Sequence, residues 1–510
     1  MEGFIYSEAD KQLQRELYQS TENKELYPLG ELSFRNRTIH QSVIAEQSVE
    51  NIFKLLENNN TFSFNAENID WQDIDGETKL LTINRASKTD MWPMGTNYWV
   101  RDNALIAQRL LNLDYTTELY PKEWYSLGKK LLLSCLTIIS SVTQLSRFER
   151  IIDGTYSYQK PEHWPHIFLS IDSNLNAAKT EPWMHKQDAW QIICYVTLEA
   201  LEKSHITETE LSEKHHQLLH LICPFLSKIE FTSNKNAGSW EEIDTIRSSV
   251  IIWETALLDK VRKSNIFSHP DAENLFQKGI NALCTMLPDE SPSYSKEDSR
   301  YRAADASLLY LFLSDLYLLL PEEKQDSIIT KTLTSIESLC DSHGMKRYQN
   351  DSYQGLSYYT ESVSTKLTAL YDSPSGDSSD IDQFTQRGEI VPSGHEAQWC
   401  HFIWQLSSVY GKLASHFTEN SSYQEKQKRF FLKGLSLITG DNEISITQSK
   451  ANTMELISLS PFQVPECFNA ETHDKTIFRY PSHHTPLYWA SAECLGAFDQ
   501  MIGIDERTLC

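Results

Sequence analysis

Two adjacent carboxylates beside a tryptophan are the residues of this sequence best placed for acid chemistry. Glu241 and Glu242 directly follow Trp240, after a loop rich in Asn, Gly and Ser, and an apolar helical run begins at Val250. A carboxylic acid beside an indole face loses solvation, which raises its pKa toward the range that a general acid needs near neutral pH. Two glutamates at this place could equally complement the dipole of the following helix.

A third carboxylate, Glu466, follows Pro465 in a loop that has aromatic neighbours and a helical segment beyond it. Taken alone it is an ordinary exposed glutamate, since glutamate is rarely buried without a partner. Arg101 and Asp102 are adjacent at the start of another helical segment. They either cap that helix or present donors and acceptors to the vicinal hydroxyls of a sugar.

These loops can meet only if the segments between them pack into one body, and those segments are predicted to be helical. Apolar residues recur at helical spacing in thirteen segments, with turn-forming residues between them. The segments are 43–56, 101–111, 126–145, 188–202, 208–225, 248–263, 270–286, 303–320, 322–340, 360–369, 396–415, 423–438 and 487–501.

The pattern of helices predicts an all-α toroid of paired helices, in which an inner ring is covered by an outer one and alternate loops converge on one rim. No strand-rich block is predicted, apart from a short β-ribbon over 61–84 with Asp75-Gly76 at its turn. Residues 1–40 are predicted to form an N-terminal arm and 41–510 a single domain. The Ser- and Asp-rich stretch 372–382 is predicted to be an inserted mobile loop.

Composition excludes several classes of partner. The 46 basic and 70 acidic residues give a net charge of −24, which disfavours nucleic acid and anionic membranes. No apolar run is long enough to span a bilayer, and the first residues lack a signal-peptide pattern. The nine cysteines show no metal-ligand spacing. We therefore predict a cytoplasmic protein with reduced thiols, no metal and no cofactor; export without a readable signal and the oligomeric state stay open.

Four motifs, in this order along the chain, resemble glycoside hydrolase family 15, the glucoamylases. They are Tyr98-Trp99-Val100-Arg101-Asp102-Asn103, Gly238-Ser239-Trp240-Glu241-Glu242, Lys346-Arg347-Tyr348-Gln349-Asn350-Asp351-Ser352-Tyr353, and Pro465-Glu466 followed by Pro486-Leu487-Tyr488-Trp489-Ala490. The resemblance covers roughly residues 40–503. The chain is also similar to the phosphorylase kinase regulatory subunits, which are related to the same family, notably around Arg101 and in the helix after Trp240.

The resemblance implies an (α/α)6 barrel with an exo-acting, inverting α-glucosidase site at one rim and an α-glucan or malto-oligosaccharide as substrate. Glu241 matches the general acid and Glu466 the general base, and inversion requires their carboxyl groups to lie about 6.5–9.5 Å apart. Arg101 and Asp102 match the residues that grip the terminal glucose, and Glu242 matches a carboxylate at the neighbouring subsite. The substrate-binding residues that the resemblance implies are Trp99, Arg101, Asp102, Trp183, Gln187, Trp240, Glu242, Arg347 and Tyr348.

The sequence departs from the family in two respects. The family's Gln-x-Asp is replaced by Gln187 followed directly by Asp188, and the loop containing His395, Glu396 and Trp399 has no assigned role. No starch-binding domain is expected after the last helix, so short maltodextrins are the expected substrates rather than granular starch.

Two other hypotheses remain. The first is a glucan-binding regulatory protein of the phosphorylase kinase type that lacks turnover. The second is a helical-repeat scaffold with a purely structural role. The presence of both Glu241 and Glu466 counts against the first, and the concentration of polar motifs in loops counts against the second.

Overall fold

The structure is a computed structural model, and its described residues are 26–29, 32–35, 49–62, 64, 72–73, 79–80, 98–165, 168–169, 188–240, 242–298, 300–351, 394–440, 443–448, 454–473 and 476–502. Within these ranges the chain is mostly helical. The α-helices are α1 (Val49–Asn58), α2 (Val100–Leu111), α3 (Lys122–Ile139), α4 (Val142–Ile152), α5 (Ala189–Glu202), α6 (Glu213–Lys228), α7 (Ser248–Lys263), α8 (Ala272–Met286), α9 (Tyr310–Leu313), α10 (Glu322–Glu337), α11 (His401–His416), α12 (Ser421–Leu435) and α13 (Tyr488–Ile502).

The strands are two to seven residues long. They are β1 (Leu26–Leu29), β2 (Leu32–Arg35), β3 (Gln72–Asp73), β4 (Lys79–Leu80), β5 (Tyr98–Trp99), β6 (Phe168–Leu169), β7 (Cys340–Asp341), β8 (Gly344–Met345), β9 (Gln398–Trp399), β10 (Ile444–Gln448), β11 (Met454–Ser458), β12 (Cys467–His473) and β13 (Thr476–Pro481).

Six helices form a cyclic series of contacts. Helix α2 contacts α5, α5 contacts α7, α7 contacts α9, α9 contacts α11, α11 contacts α13, and α13 contacts α2. A second set covers this series: α1 packs on α13, α3 on α2, α8 on α7, and α12 on α11, while α10 packs beside the 3₁₀ turns that flank α9. The prediction of a mostly helical fold is confirmed, and this arrangement is consistent with the predicted toroid of paired helices.

Burial distinguishes the two sets of helices. Every residue from Ala189 to Ala200 of α5 is buried, so this helix is covered on all sides. Helix α10 has 16 residues and buries only Ile328, Ile329, Thr332, Leu333 and Ile336. Those five residues recur at helical spacing and form one apolar face, as expected for a helix of an outer layer.

Two segments predicted as single helices are broken in the structure. Segment 126–145 is divided between α3 and α4, with Ser140 and Ser141 at the break. Segment 303–320 consists of two 3₁₀ turns, Ala306–Leu309 and Leu316–Leu319, on either side of α9. Asp315 interrupts it in the left-handed region, with φ of 59°. Apolar periodicity continues across both breaks, so the pattern did not reveal them.

The expectation that the chain has no strand-rich block is wrong. Strands β13, β12, β9, β8 and β7 form a five-stranded sheet in that order, and β10 pairs with β11. The strands are two to seven residues long, and such short runs give too few alternations for a period of two to be recognised. The sheet pairs Cys467 and Met345 with Trp399, so it draws the loops that contain Glu466, Arg347 and Trp399 together.

Several sequence predictions fall wholly or partly outside the described residues. In the predicted ribbon, β3 pairs antiparallel with β4, but most of 61–84 is outside the described ranges, so the ribbon as a whole stays a prediction. Segments 360–369 and 372–382 also lie outside them. In the described part of the chain no single helix is long and apolar enough to cross a membrane; α3 and α4, bent by 55°, pass that test only together and only by length and composition.

Candidate active site

The structure describes most of the predicted site residues, but Glu241, Trp183 and Gln187 lie outside the described residues. The others stand at the ends of elements: Trp99 and Arg101 where β5 meets α2, and Tyr348 after β8. Within the described ranges no group of three or more His, Cys, Asp or Glu side chains is arranged to hold a metal ion.

Arg101 fixes the backbone immediately before Trp240. Its Nη1 donates a hydrogen bond to the carbonyl oxygen of Ser239 at 2.8 Å. The same Nη1 lies 3.6 Å from Oδ1 of Asp188, and Ser239 Oγ donates to Oδ2 of Asp188 at 2.5 Å. Arg101 and Asp188 thus hold Ser239 from its carbonyl oxygen and its side chain, and so define where the Trp240-Glu241 segment begins.

Asp102 links the first loop to the predicted base. Its Oδ1 lies 3.4 Å from Nε of Arg101, and its side chain is 15% exposed. Burial raises the pKa of Asp102 above its ordinary value; Arg101 opposes this rise, while the carboxylates of Glu466 and Asp188 add to it. The charge of Glu466 thus acts on Asp102, although the two residues are more than 360 positions apart in the sequence.

Glu466 is held by its backbone on both sides. Its N–H donates to the carbonyl oxygen of His484 at 3.1 Å, and its own carbonyl oxygen accepts from the N–H of Cys400 at 3.0 Å. Ser482 Oγ donates to Oε2 at 3.4 Å, and the residue as a whole is 7% exposed. The sheet and the loop before α13 therefore fix the position of this carboxylate.

Trp240 is held by hydrogen bonds from its ring nitrogen and by contacts of its ring with two neighbouring side chains. Its Nε1 donates to Oδ1 and Oδ2 of Asp305 at 2.9 and 3.1 Å. The ring makes an edge contact with Phe402 at 5.6 Å between centroids, and the guanidinium of Arg347 lies 5.1 Å from its centre. An indole held in this way presents a fixed apolar surface. Glu241 is outside the described residues, so the predicted effect of Trp240 on its pKa stays a prediction.

Glu242 lies in a buried network. Its Oε2 accepts from Nη2 of Arg302 at 2.7 Å and lies 3.4 Å from Nη2 of Arg247, while its Oε1 accepts from the hydroxyl of Tyr348. The side chain is 0% exposed. This geometry favours a role in holding the loop for Glu242 and Tyr348, rather than the direct contact with a sugar that was predicted for them.

Arg347 forms an ion pair with Asp351 and also lies beside aromatic rings. Its Nε and Nη2 each donate to one oxygen of Asp351 at 2.6 Å. Its guanidinium lies 5.4 Å from the ring centre of Trp399, in addition to its contact with Trp240. A bidentate carboxylate holds the plane of the guanidinium in one orientation, so Arg347 is presented in a fixed position between two indoles.

Several residues that hold the site were not singled out from the sequence. They are Asp305, Asp351, Arg302 and Arg247, each of which fixes a predicted site residue. Asp305 did carry a local signal, because it caps the 3₁₀ turn Ala306–Leu309 through the N–H of Ser307. A single aspartate before a helical run is common, however. The hydrogen bond between Asp305 and Trp240 joins residues 65 positions apart, and no sequence pattern indicates it.

The described residues bring together at one place a carboxylate, two fixed guanidiniums, a partly exposed aspartate and several indole rings. Guanidinium and carboxylate groups form pairs of hydrogen bonds with vicinal hydroxyls, and indole rings offer flat apolar surfaces with a polar edge. The arrangement is suited to binding an uncharged polyol ring. Trp99, 9% exposed, contributes to the same place through the contact of its ring with Arg101 at 5.7 Å.

No family model matches the chain, and no curated protein matches it either. A solved wild-type glycosidase has a TM-score of 0.53 at 11% identity, covering 89% of this chain and 97% of that chain; a substituted glycosidase gives 0.54 with the same identity and coverage. A glucoamylase from Saccharomycopsis fibuligera gives 0.50 at 13% identity, covering 97% of this chain and 100% of that one. At these identities the likeness shows a shared fold: the chain has the fold of glycosidases.

Proposed function

We propose that this protein is a glycoside hydrolase of the glucoamylase type, an exo-acting inverting α-glucosidase that removes terminal α-1,4-linked glucose from maltodextrins. The cyclic series of inner helices and their outer partners is then the complete (α/α)6 toroid. The observation that carries the proposal is the meeting of distant motifs. Arg101 donates a hydrogen bond to Ser239 beside the Trp-Glu-Glu motif, and the neighbouring Asp102 is under the electrostatic influence of Glu466.

In the proposed reaction Glu241 donates a proton and Glu466 accepts one. The Glu241 carboxyl gives its proton to the glycosidic oxygen as the bond from the anomeric carbon to that oxygen breaks. The Glu466 carboxylate takes a proton from a water that attacks the anomeric carbon from the opposite face, so that β-glucose is released. The second chain fragment leaves with a new hydroxyl, and the two carboxyl groups exchange protons with solvent before the next turnover.

Arg101 and Asp102 are proposed to hold the terminal glucose by its distal hydroxyls, with Arg347 on the other side of the ring. Because the orientations of Arg101 and Arg347 are set by protein partners, they bind a sugar without further ordering, which lowers the entropic cost of reaching the reactive geometry. Trp183 and Gln187 are proposed to extend the site toward the next glucose.

The test is release of glucose from maltotriose by the wild type and by Glu241→Gln and Glu466→Gln. Glu425, an exposed glutamate on α12, provides the matched control as Glu425→Gln. We expect each catalytic variant to lose about 10²–10⁴-fold in kcat, the usual contribution of a positioned acid or base, and the control to keep wild-type activity.

Two results would overturn the proposal. One is a wild type that binds maltose but releases no glucose, which would favour a regulatory glucan-binding protein. The other is a wild type that releases glucose at a rate that neither active-site substitution changes, which would place the chemistry elsewhere.

A further inference from the structure

His401 is a buried histidine that has no part in the proposed reaction as described so far. It is the first residue of α11, and it is 1% exposed. Within the described part of the chain neither of its ring nitrogens has a hydrogen-bond partner. Leaving a buried donor or acceptor unsatisfied is unfavourable, so a native protein that keeps such a group needs a reason for it.

The histidine lies near the arginines of the candidate active site, because its ring contacts Trp399 at 5.8 Å between centroids, and the guanidinium of Arg347 lies 5.4 Å from the ring centre of Trp399. The pKa of His401 is lowered to about 3, mainly by burial and in addition by the positive charges of Arg101 and Arg347. Both guanidiniums are therefore close enough to influence the ring. At ordinary pH the imidazole is neutral, with one nitrogen carrying a hydrogen and the other a free lone pair.

Aromatic rings surround the imidazole. Its ring centre lies 4.3 Å from that of Trp489, 3.9 Å from that of Phe402 and 5.8 Å from that of Trp399. The one polar group of Trp489, its Nε1, is already committed, because it donates to Oε1 of Glu493 at 2.9 Å. The rings thus hold the imidazole in place without meeting its need for hydrogen bonds.

The place of His401 is as firmly set as that of the predicted base. The N–H of Cys400, the preceding residue, donates to the carbonyl oxygen of Glu466. Helix α11 is tied to α13 by the bond from Gln405 Nε2 to Glu493 Oε1 at 2.9 Å. Any ligand that bonds to His401 is therefore held in a defined position relative to Glu466.

We propose that His401 is a specificity-determining residue that hydrogen-bonds a hydroxyl of the terminal glucosyl ring between Arg101 and Arg347. A hydroxyl both donates and accepts, so it satisfies either nitrogen of a neutral imidazole, whereas a cationic group would be repelled by the two arginines. Sites that hydrogen-bond a substrate hydroxyl discriminate strongly against analogues without it, because their buried polar group is then left unpaired. This inference rests on the proposed function for the identity of the sugar.

The experiment measures equilibrium binding of maltose and of maltose analogues that each lack one hydroxyl of the non-reducing glucose, by calorimetry. Glu241→Gln is added to the wild type and to every variant in these titrations, so that the sugars are not hydrolysed while they bind. The key variant is His401→Phe, which keeps an aromatic ring but has no ring nitrogen. His401→Asn and His401→Gln keep a donor and an acceptor. His416→Phe, at the exposed far end of the same helix, is the matched control.

We expect one of the analogues to bind the wild type about tenfold or more weakly than maltose, as the loss of about 1.4 kcal/mol would give. In His401→Phe that same analogue should bind as well as maltose does, while the losses for the other analogues persist. His401→Asn or His401→Gln should restore part of the discrimination, and His416→Phe should behave as the wild type. A thermal unfolding measurement on each variant verifies that it is folded.

Equal losses for every analogue in the wild type and in His401→Phe would overturn the inference and assign the nitrogens of His401 to internal water. A wild type that binds no maltose overturns it as well. Binding with the expected pattern but without hydrolysis would contradict the proposed function and leave the inference intact, so the two can be told apart.

Discussion

Gly238 is a residue of the candidate active site whose backbone conformation does not suit a larger side chain. It lies two positions before Trp240 and has a φ of +71°, a conformation that L side chains rarely adopt. A Cβ at this position would lie 2.4 Å from Cδ of Arg247. Arg247 has little room to move, because its Nε donates to the carbonyl oxygen of Asn236 and its Nη2 to that of Ile243.

We therefore expect Gly238→Ala to lower both the free energy of unfolding and the activity. The left-handed backbone alone costs an alanine about 1–2 kcal/mol, and displacement of Arg247 adds to it and shifts the loop that contains Trp240. Gly154→Ala is the matched control, since Gly154 has a φ of +84° but only the flexible Nζ of Lys228 near its Cβ, at 3.4 Å. Urea unfolding should show the larger loss for position 238, and glucose release should fall only there; equal losses at both positions would contradict the account.

Some site residues can be recognised in the sequence and others cannot, for a physical reason. Arg101, Trp240 and Arg347 stand beside other chemically active residues at the ends of helices or strands, so local pattern and family resemblance both point to them. Asp351 matters because it binds Arg347. His401 matters because neither of its ring nitrogens has a hydrogen-bond partner among the described residues. Only the folded chain shows which of its many aspartates and histidines are in that position.

At the scale of elements, the inner helices carry buried polar residues between them. Glu254 on α7 accepts a hydrogen bond from Nε2 of Gln191 on α5 at 3.1 Å. Burial raises the pKa of Glu254 to about 8 from 4.5; the bond from Gln191 opposes this, and Asp188 adds to it. The folded protein thus retains a proton between these pH values that the unfolded chain gives up, and folding is favoured at the acid side of this window.

We predict that the contribution of Glu254 to the free energy of unfolding falls as the pH rises from 4.5 to about 8, by up to about 1.4 kcal/mol per pH unit. Glu254→Gln removes this slope and should be more stable than the wild type at pH 8. Denaturant unfolding of both proteins across the pH range measures the difference between them, and an unchanged difference from pH 5 to 8 would contradict the prediction.

Glu199 on α5 provides a control of the opposite sign. It is also buried, yet its pKa is lowered, because Lys203 and the side chain of Gln108 outweigh the effect of burial. Its carboxylate stabilises the fold at neutral pH, and that contribution is lost as the pH falls. Glu199→Gln should therefore be less stable than the wild type at pH 8, where Glu254→Gln is more stable.

Long helices were predictable and short strands were not. The predicted segment 248–263 coincides with α7, because an apolar pattern sustained over four turns is distinctive. The two-residue strands β8 and β9 have no pattern of their own. They form because β12 and the neighbouring loops pack beside them, and this sheet is what places Glu466 next to Trp399.

At the scale of the whole molecule, the contact of α13 with α2 joins the two ends of the helical series. Arg109 on α2 donates through Nε and Nη2 to Oε2 of Glu493 on α13, both at 2.7 Å. The same closure brings the loop before α13, with His484 and Ser482, against Glu466. Residues from the first and last described helices of the cycle thus build one site. Its aromatic rings and its arginines paired with carboxylates suit a neutral sugar, and the chain as a whole has a net charge of −24.

The measurement that tests the central claim most directly is proton NMR of maltotriose during the first minutes after addition of the wild-type protein. We expect the anomeric signal of β-glucose to appear first and α-glucose to follow only as the sugar mutarotates, because a water activated by Glu466 attacks from the face opposite to the leaving group. Release of α-glucose first, or no glucose signal at all, would contradict it.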